Sequence, residues 1–86
     1  MVNMQDNTSQ TIRTIIAKEC GVKRRFITNK TNFMASQTLK YFDCMNAMYT
    51  LQHKFHVNLP ESNYAKYTTV GDLIRDVNRQ LKAHSK

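Results

Sequence analysis

The chain has little of what breaks or staples a small fold. It holds two glycines and one proline in 86 residues, which leaves scant room for tight hairpins or a flexible linker. Tryptophan is absent, and there are only two cysteines, Cys20 and Cys44. Two thiols are too few for a disulfide framework, and they lack the spacing of a metal site; free thiols in a reducing compartment are expected. Carboxylates are scarce too, six against thirteen Lys and Arg, for a formal charge of +7. No apolar run approaches the roughly 18 residues that a membrane span needs. The polar stretch Met1 to Ser9 has no signal-peptide core. These absences lead to the expectation of a cytoplasmic protein with no membrane span. There is also no Gly-rich phosphate loop, no pair of carboxylates on one helical face and no internal repeat.

What is present points to helices. A hydrophobic fraction of 41% argues against disorder. The length is that of one domain, which buries only about 60% of its unfolded surface and so has a thin core. Low Gly and Pro, with many Leu, Met, Ala and Lys, favours an all-α chain. The expected organisation is a disordered leader over 1–8, a helical domain over 9–82 and a flexible tail over 83–86.

A first helix is expected to start near Ser9 or Thr11. Ile12, Ile15, Ile16 and Glu19-Cys20 follow the i, i+3, i+4 rhythm of one stripe, and Gly21 supplies the left-handed residue that ends it. A long loop then runs from Lys23 to about Thr38, with Ile27 and Phe33 as its expected anchors; loops longer than about 12 residues need anchors or a function. A second helix is expected from near Thr38 or Lys40 to Phe55, with Phe42, Met45, Met48, Leu51 and Phe55 as its core stripe. Pro60 fits a helix start, and Glu61 to Tyr67 reads as a short helical turn. Thr69 and Asp72 have capping-box spacing before a last helix with the stripe Val70, Leu73, Ile74, Val77 and Leu81. The fold class is therefore a small four-helix bundle, three main helices plus one short one.

Across about residues 9 to 82 this order resembles the acyl carrier protein family. Gly21-Val22 is similar to the Gly-Val after the family's first helix. Ile27-Thr28 and Phe33 resemble the start of its loop and the loop's buried phenylalanine. Leu51, Phe55 and Leu59-Pro60 fall where the family has its helix-two leucine, its phenylalanine and its Ile-Pro. Ala65, Thr68-Thr69-Val70 and Asp72-Leu73 resemble the approach to the last helix. No one of these is specific; their ordered spacing, without gaps from Ile27 onward, is.

By that register the family's Asp-Ser-Leu motif, whose serine carries phosphopantetheine, falls on Lys40, Tyr41 and Phe42. Phe42 is expected to keep the leucine's place in the core. Lys40 reverses the aspartate's charge at a helix N-terminus, where an anion is favoured. A phenol differs from a serine hydroxyl in reach, bulk and acidity, and attack on coenzyme A depends on geometry, so Tyr41 is not expected to hold the prosthetic group. The resemblance also implies an acidic second helix that meets basic partner enzymes. In this chain Lys40, His53, Lys54 and His56 outweigh Asp43, and charge juxtaposition repels basic partners.

The reading that follows is an acyl-carrier-like domain that has lost its attachment chemistry and serves as a protein-interaction module. Its expected face is Lys40, Tyr41, Cys44 and Met48, its expected partner a protein with an acidic or apolar surface, and its expected state a monomer without enzymatic activity. No cofactor is expected. The alternative is a working carrier in fatty-acid or polyketide-type synthesis that holds phosphopantetheine on another residue such as Ser36. Ser36 lacks the preceding Asp and following Leu, and using it would bury polar residues by sliding helix two out of register; capping helix two is its simpler role, shared with Thr38. A second alternative is nucleic-acid binding through Lys23-Arg24-Arg25 and Phe26, although the positive charge is spread over every segment and no nucleic-acid motif is visible. His53 and His56 share a helical spacing but lack the further ligands of a zinc site, so no metal is expected. Cys44 has no base positioned against it, as a nucleophile requires.

Overall fold

Where the first turn of helix one begins is decided by a polar segment with no helix breaker in it. In the computed structural model, which describes residues 4–84, α1 runs over Met4–Cys20. The expected leader over 1–8 is therefore helical from Met4 onward, and Thr8 is buried against the core; residues 1–3 lie outside the described residues. Ile12, Ile16 and Ala17 carry the buried stripe, with Ile15 and Cys20 packed beside it. Gly21 ends the helix at φ +68°, in the left-handed region glycine enters without steric cost. The Val22 amide donates to the Ala17 carbonyl at 3.0 Å and the Gly21 amide to the Lys18 carbonyl at 3.3 Å. This is the Schellman pairing, and Val22 packs back on the core as the pattern requires.

The long loop is not loose. A single 3-10 turn occupies Arg24–Phe26, after which Ile27 and Phe33 are both buried, as their roles as anchors required. Four backbone hydrogen bonds then fasten the loop to the approach to the last helix. The amides of Phe33 and Met34 donate to the carbonyls of Thr68 and Tyr67, and the amides of Val70 and Gly71 donate to those of Thr31 and Asn29. The pairing amounts to one isolated antiparallel bridge, Asn32 to Thr69.

Helix α2 spans Tyr41–Phe55. Its inward residues are Cys44, Ala47, Met48 and Leu51, with Met45 and Phe55 at the margin. Phe42 is not in the core: it is 70% exposed, which corrects the expected stripe. Ser36 does not cap this helix either. Its hydroxyl accepts the amides of Thr38 and Leu39, both at 3.0 Å, and so fixes the turn ahead of it, while the N-cap residue Lys40 makes no side-chain capping bond.

After Leu59, which is buried, a 3-10 segment covers Glu61–Lys66 and brings Tyr64 inward, with Tyr67 buried just beyond it. This is the fourth, short helix of the expected bundle. Thr69 and Asp72 form a reciprocal capping box: the Asp72 carboxylate accepts the Thr69 amide at 3.1 Å and the Thr69 hydroxyl accepts the Asp72 amide at 3.2 Å. Helix α3, Val70–His84, buries Val70, Leu73, Ile74 and Val77, with Leu81 partly buried; it extends into the expected tail through His84, and residues 85–86 lie outside the described residues. Helix α1 packs on both α2 and α3. The radius of gyration, 12.1 Å, matches the ~12 Å expected for one folded unit of this length. The chain is thus an all-α bundle, and no helix among the described residues is long and apolar enough to cross a membrane.

Candidate functional site

The N-terminus of α2 is where the sequence placed the site. Lys40 is extended, at φ −70° and ψ 135°, and Tyr41 is the first helical residue. Tyr41 is 54% exposed and Phe42 more so. Two turns on, Tyr49 is also exposed, so the outer side of α2 carries three aromatic rings in a strongly basic chain. At 3.6 residues per turn Phe42 and Tyr49 lie on one side of the helix, two turns apart, and Tyr41 projects about 100° from Phe42.

The other two members of the expected face lie elsewhere. Cys44 and Met48 have no exposed surface, which corrects their assignment to an interaction surface. The Cys44 thiol donates to the Phe33 carbonyl at 3.5 Å. Burial, with the adjacent Cys20 sulfur and then Asp43 adding to it, pushes the thiol up to about 12. It therefore stays protonated at neutral pH and lacks the thiolate that nucleophilic chemistry uses. Ser36 is also engaged: besides the two amides it accepts, its hydroxyl lies 3.0 Å from that of Thr38.

Beside Tyr41 opens a cleft that sequence reasoning did not assemble. It has a volume of about 350 Å³ and is lined by Met34, Ala35, Tyr41, Glu61, Tyr64, Ala65, Tyr67 and Thr68. Its walls come from the long loop, the start of α2 and the 3-10 segment. Tyr64 is only 3% exposed, and its hydroxyl has no hydrogen-bond partner among the described residues. An unpaired buried hydroxyl costs free energy, typically about 1–3 kcal/mol. Burial first, then the electrostatic influence of Tyr49, Glu61 and Tyr41, pushes the Tyr64 phenol up from its ordinary value, so it stays protonated. On the outer rim the Tyr49 hydroxyl donates to the Glu61 carboxylate at 3.3 Å. The one signal in the sequence was the pair of tyrosines on the short helical turn.

Tyr67 separates this cleft from a polar one of about 320 Å³ lined by Asn63, Lys66, Tyr67, Asp72, Arg75, Asp76 and Arg79. Its charges are largely matched. Arg75 pairs with Asp72 at 3.3 Å and Arg79 with Asp76, and the Tyr67 hydroxyl donates to Asp76. Burial alone would raise the Asp76 carboxyl, but the hydrogen bonds from Tyr67 and Arg79, with the Arg79 charge, carry it below the usual carboxylate range.

The remaining candidates are dispersed. In the basic loop, Arg24 is spent on the fold, donating to the Thr14 hydroxyl and the Ile27 carbonyl, each at 3.2 Å. Arg25 lies over the exposed Phe26 ring, 5.3 Å from its centroid. His53 and His56 are exposed at the end of α2, and no cluster of three metal-ligating side chains occurs among the described residues. No protein-family model matches the chain, so the acyl-carrier resemblance rests on the ordered residues quoted above.

Proposed function

We propose that this chain is an acyl-carrier-like domain that acts as a protein-interaction module and does not carry phosphopantetheine. The observation that supports this reading best is the exposed pair Tyr41 and Phe42 at the first turn of α2, the place that the resemblance assigns to the attachment serine and the leucine after it. Exposed aromatic rings are the kind of side chain that dominates binding energy at protein interfaces. The docking surface is then Lys40, Tyr41, Phe42 and Tyr49, without the buried Cys44 and Met48. A partner with an apolar patch rimmed by carboxylates suits it, since Lys40 and the +7 charge of the chain favour an acidic rim.

The Ser36 alternative is less well supported, because that hydroxyl already holds the turn before α2. Intact mass after incubation with coenzyme A and a broad-specificity phosphopantetheinyl transferase tests both. The expected result is an unchanged mass beside a control carrier that is modified. A gain of one phosphopantetheine unit overturns the proposal, and loss of that gain in Ser36→Ala would assign the carrier role to Ser36.

A further inference from the structure

We propose that the turn over residues 23–26, with Lys18 and Lys30 beside it, is a docking surface for an anionic lipid bilayer. Phe26 enters the headgroup boundary while the cations around it meet the headgroups. This surface shares no residue with the α2 face proposed above and stands or falls without it. Three observations carry it. Residues 20–42 include no Asp or Glu, yet Lys23, Arg24, Arg25 and Lys30 fall among them. Lys18, Lys23, Arg25 and Lys30 are all exposed and take part in no ion pair among the described residues. The Arg24 side chain donates to the Thr14 hydroxyl, one turn before Lys18 on α1, and so draws the turn onto the side of α1 that carries Lys18. Last, Phe26 is 62% exposed with the Arg25 guanidinium over its ring, so an apolar ring and a cation stand at one spot.

The turn is also held ready. The Phe26 amide donates to the Lys23 carbonyl at 2.9 Å. The Thr31 hydroxyl donates to the Phe26 carbonyl at 3.2 Å and accepts the Thr28 amide at 2.9 Å. Little ordering of the backbone is left to oppose binding. The carboxylates that flank the segment are engaged: Glu19 accepts the Thr50 hydroxyl of α2, and Asp72 accepts the Thr69 amide and pairs with Arg75. These features select among polyanions. Single-stranded nucleic acid is gripped by successive bases stacking on several rings, whereas this turn offers one ring, already covered by Arg25. A bilayer asks for less: one ring at the boundary, and long cationic side chains whose heads stay among the headgroups. Each Lys or Arg near an anionic leaflet strengthens attachment about fivefold, so this cluster gives reversible docking.

The test is co-sedimentation of the full chain with vesicles of phosphatidylcholine and phosphatidylserine in about equal parts, beside vesicles of phosphatidylcholine alone. Binding to the mixed vesicles that weakens as salt rises, and none to the neutral ones, is expected. Phe26 is exposed, so Phe26→Ala should stay folded while binding about tenfold more weakly. Arg25→Gln should bind about fivefold more weakly, whereas Lys54→Gln, the same loss of charge at an exposed residue late in α2, should bind as the wild type does. The chain has no Trp, so Phe26→Trp is a lone reporter whose emission should move to the blue on the mixed vesicles. Equal binding to both vesicles, no binding to the mixed ones, wild-type binding in Phe26→Ala, equal losses in Arg25→Gln and Lys54→Gln, or an unmoved emission would overturn the proposal. Displacement from the vesicles by single-stranded RNA at equal phosphate concentration would also overturn it and give the surface to nucleic acid.

Discussion

His56 closes α2 in the left-handed region, at φ 55° and ψ 43°, and is the one non-glycine residue with positive φ in the chain's described backbone. That conformation crowds its Cβ, at a cost of roughly 1–2 kcal/mol. His56→Gly removes the crowding but loosens the unfolded chain. The net expectation is a gain of about 0.5–1 kcal/mol, read as a higher urea midpoint at unchanged slope; a loss would mean that the exposed imidazole makes a contact worth keeping. Cys44 sets a limit of another kind. Its ordinary value is 9.0 and burial raises it to about 12 in the fold. The unfolded thiol therefore ionises first as pH rises, the folded state binds more protons, and stability present below pH 9 declines as pH climbs toward about 12. Denaturation midpoints taken across that window should fall less steeply in Cys44→Ala than in the wild type. An identical slope would assign the alkaline loss to other groups, such as the buried Tyr67 phenol, whose burial and bond to Asp76 also raise it.

At the scale of elements, α3 was legible, and α2 was legible but for Phe42, the first member of its expected stripe. In α3 the apolar residues Val70, Leu73, Ile74 and Val77 fall at steps of three, one and three and stay on one face. In α2 the expected stripe advanced from Phe42 to Leu51 in steps of three. At about 100° per residue such a run slips backward with each step, so Phe42 and Leu51 end on opposite sides. The face that is buried, Cys44, Ala47, Met48 and Leu51, keeps the mixed steps of a helical stripe, but its first two members are small and drew less notice than a phenylalanine. The polar first turns of α1 offered no apolar rhythm, so their helicity could not be told from a leader. The capping box gives α3 its start, and Gly71, its second residue, is held there by the long loop. An alanine in a helix is ordinarily better than glycine by about 1 kcal/mol. At Gly71 the added Cβ would stand 2.9 Å from the Asn29 carbonyl oxygen, and backbone cannot swing aside as a side chain does. Gly71→Ala is therefore expected to cost about 1–3 kcal/mol, with faster amide exchange at Phe33 and Met34, whose bonds lie in the same tether. Stabilisation instead would show that the loop yields.

For the molecule as a whole, an all-α bundle was readable because stripes, the Gly21 stop and the capping box are local. The cleft was not, since Met34, Tyr41 and Tyr64 come from three segments that meet only in the folded chain, and no local period announces such a meeting. The same distinction between local and distant contacts bears on how the chain folds. The tether joins Phe33 to Thr68 across roughly 35 residues, and closing a loop of that length costs ~3 kcal/mol of chain entropy. The helices can form before that cost is met, so the tether belongs to the late, downhill side of the folding barrier. A lesion there such as Gly71→Ala should leave the refolding rate close to that of the wild type and express its whole cost as faster unfolding. The loop that holds the bundle together would then act as its latch in time: it contributes little to how quickly the native state is reached and sets how long that state lasts.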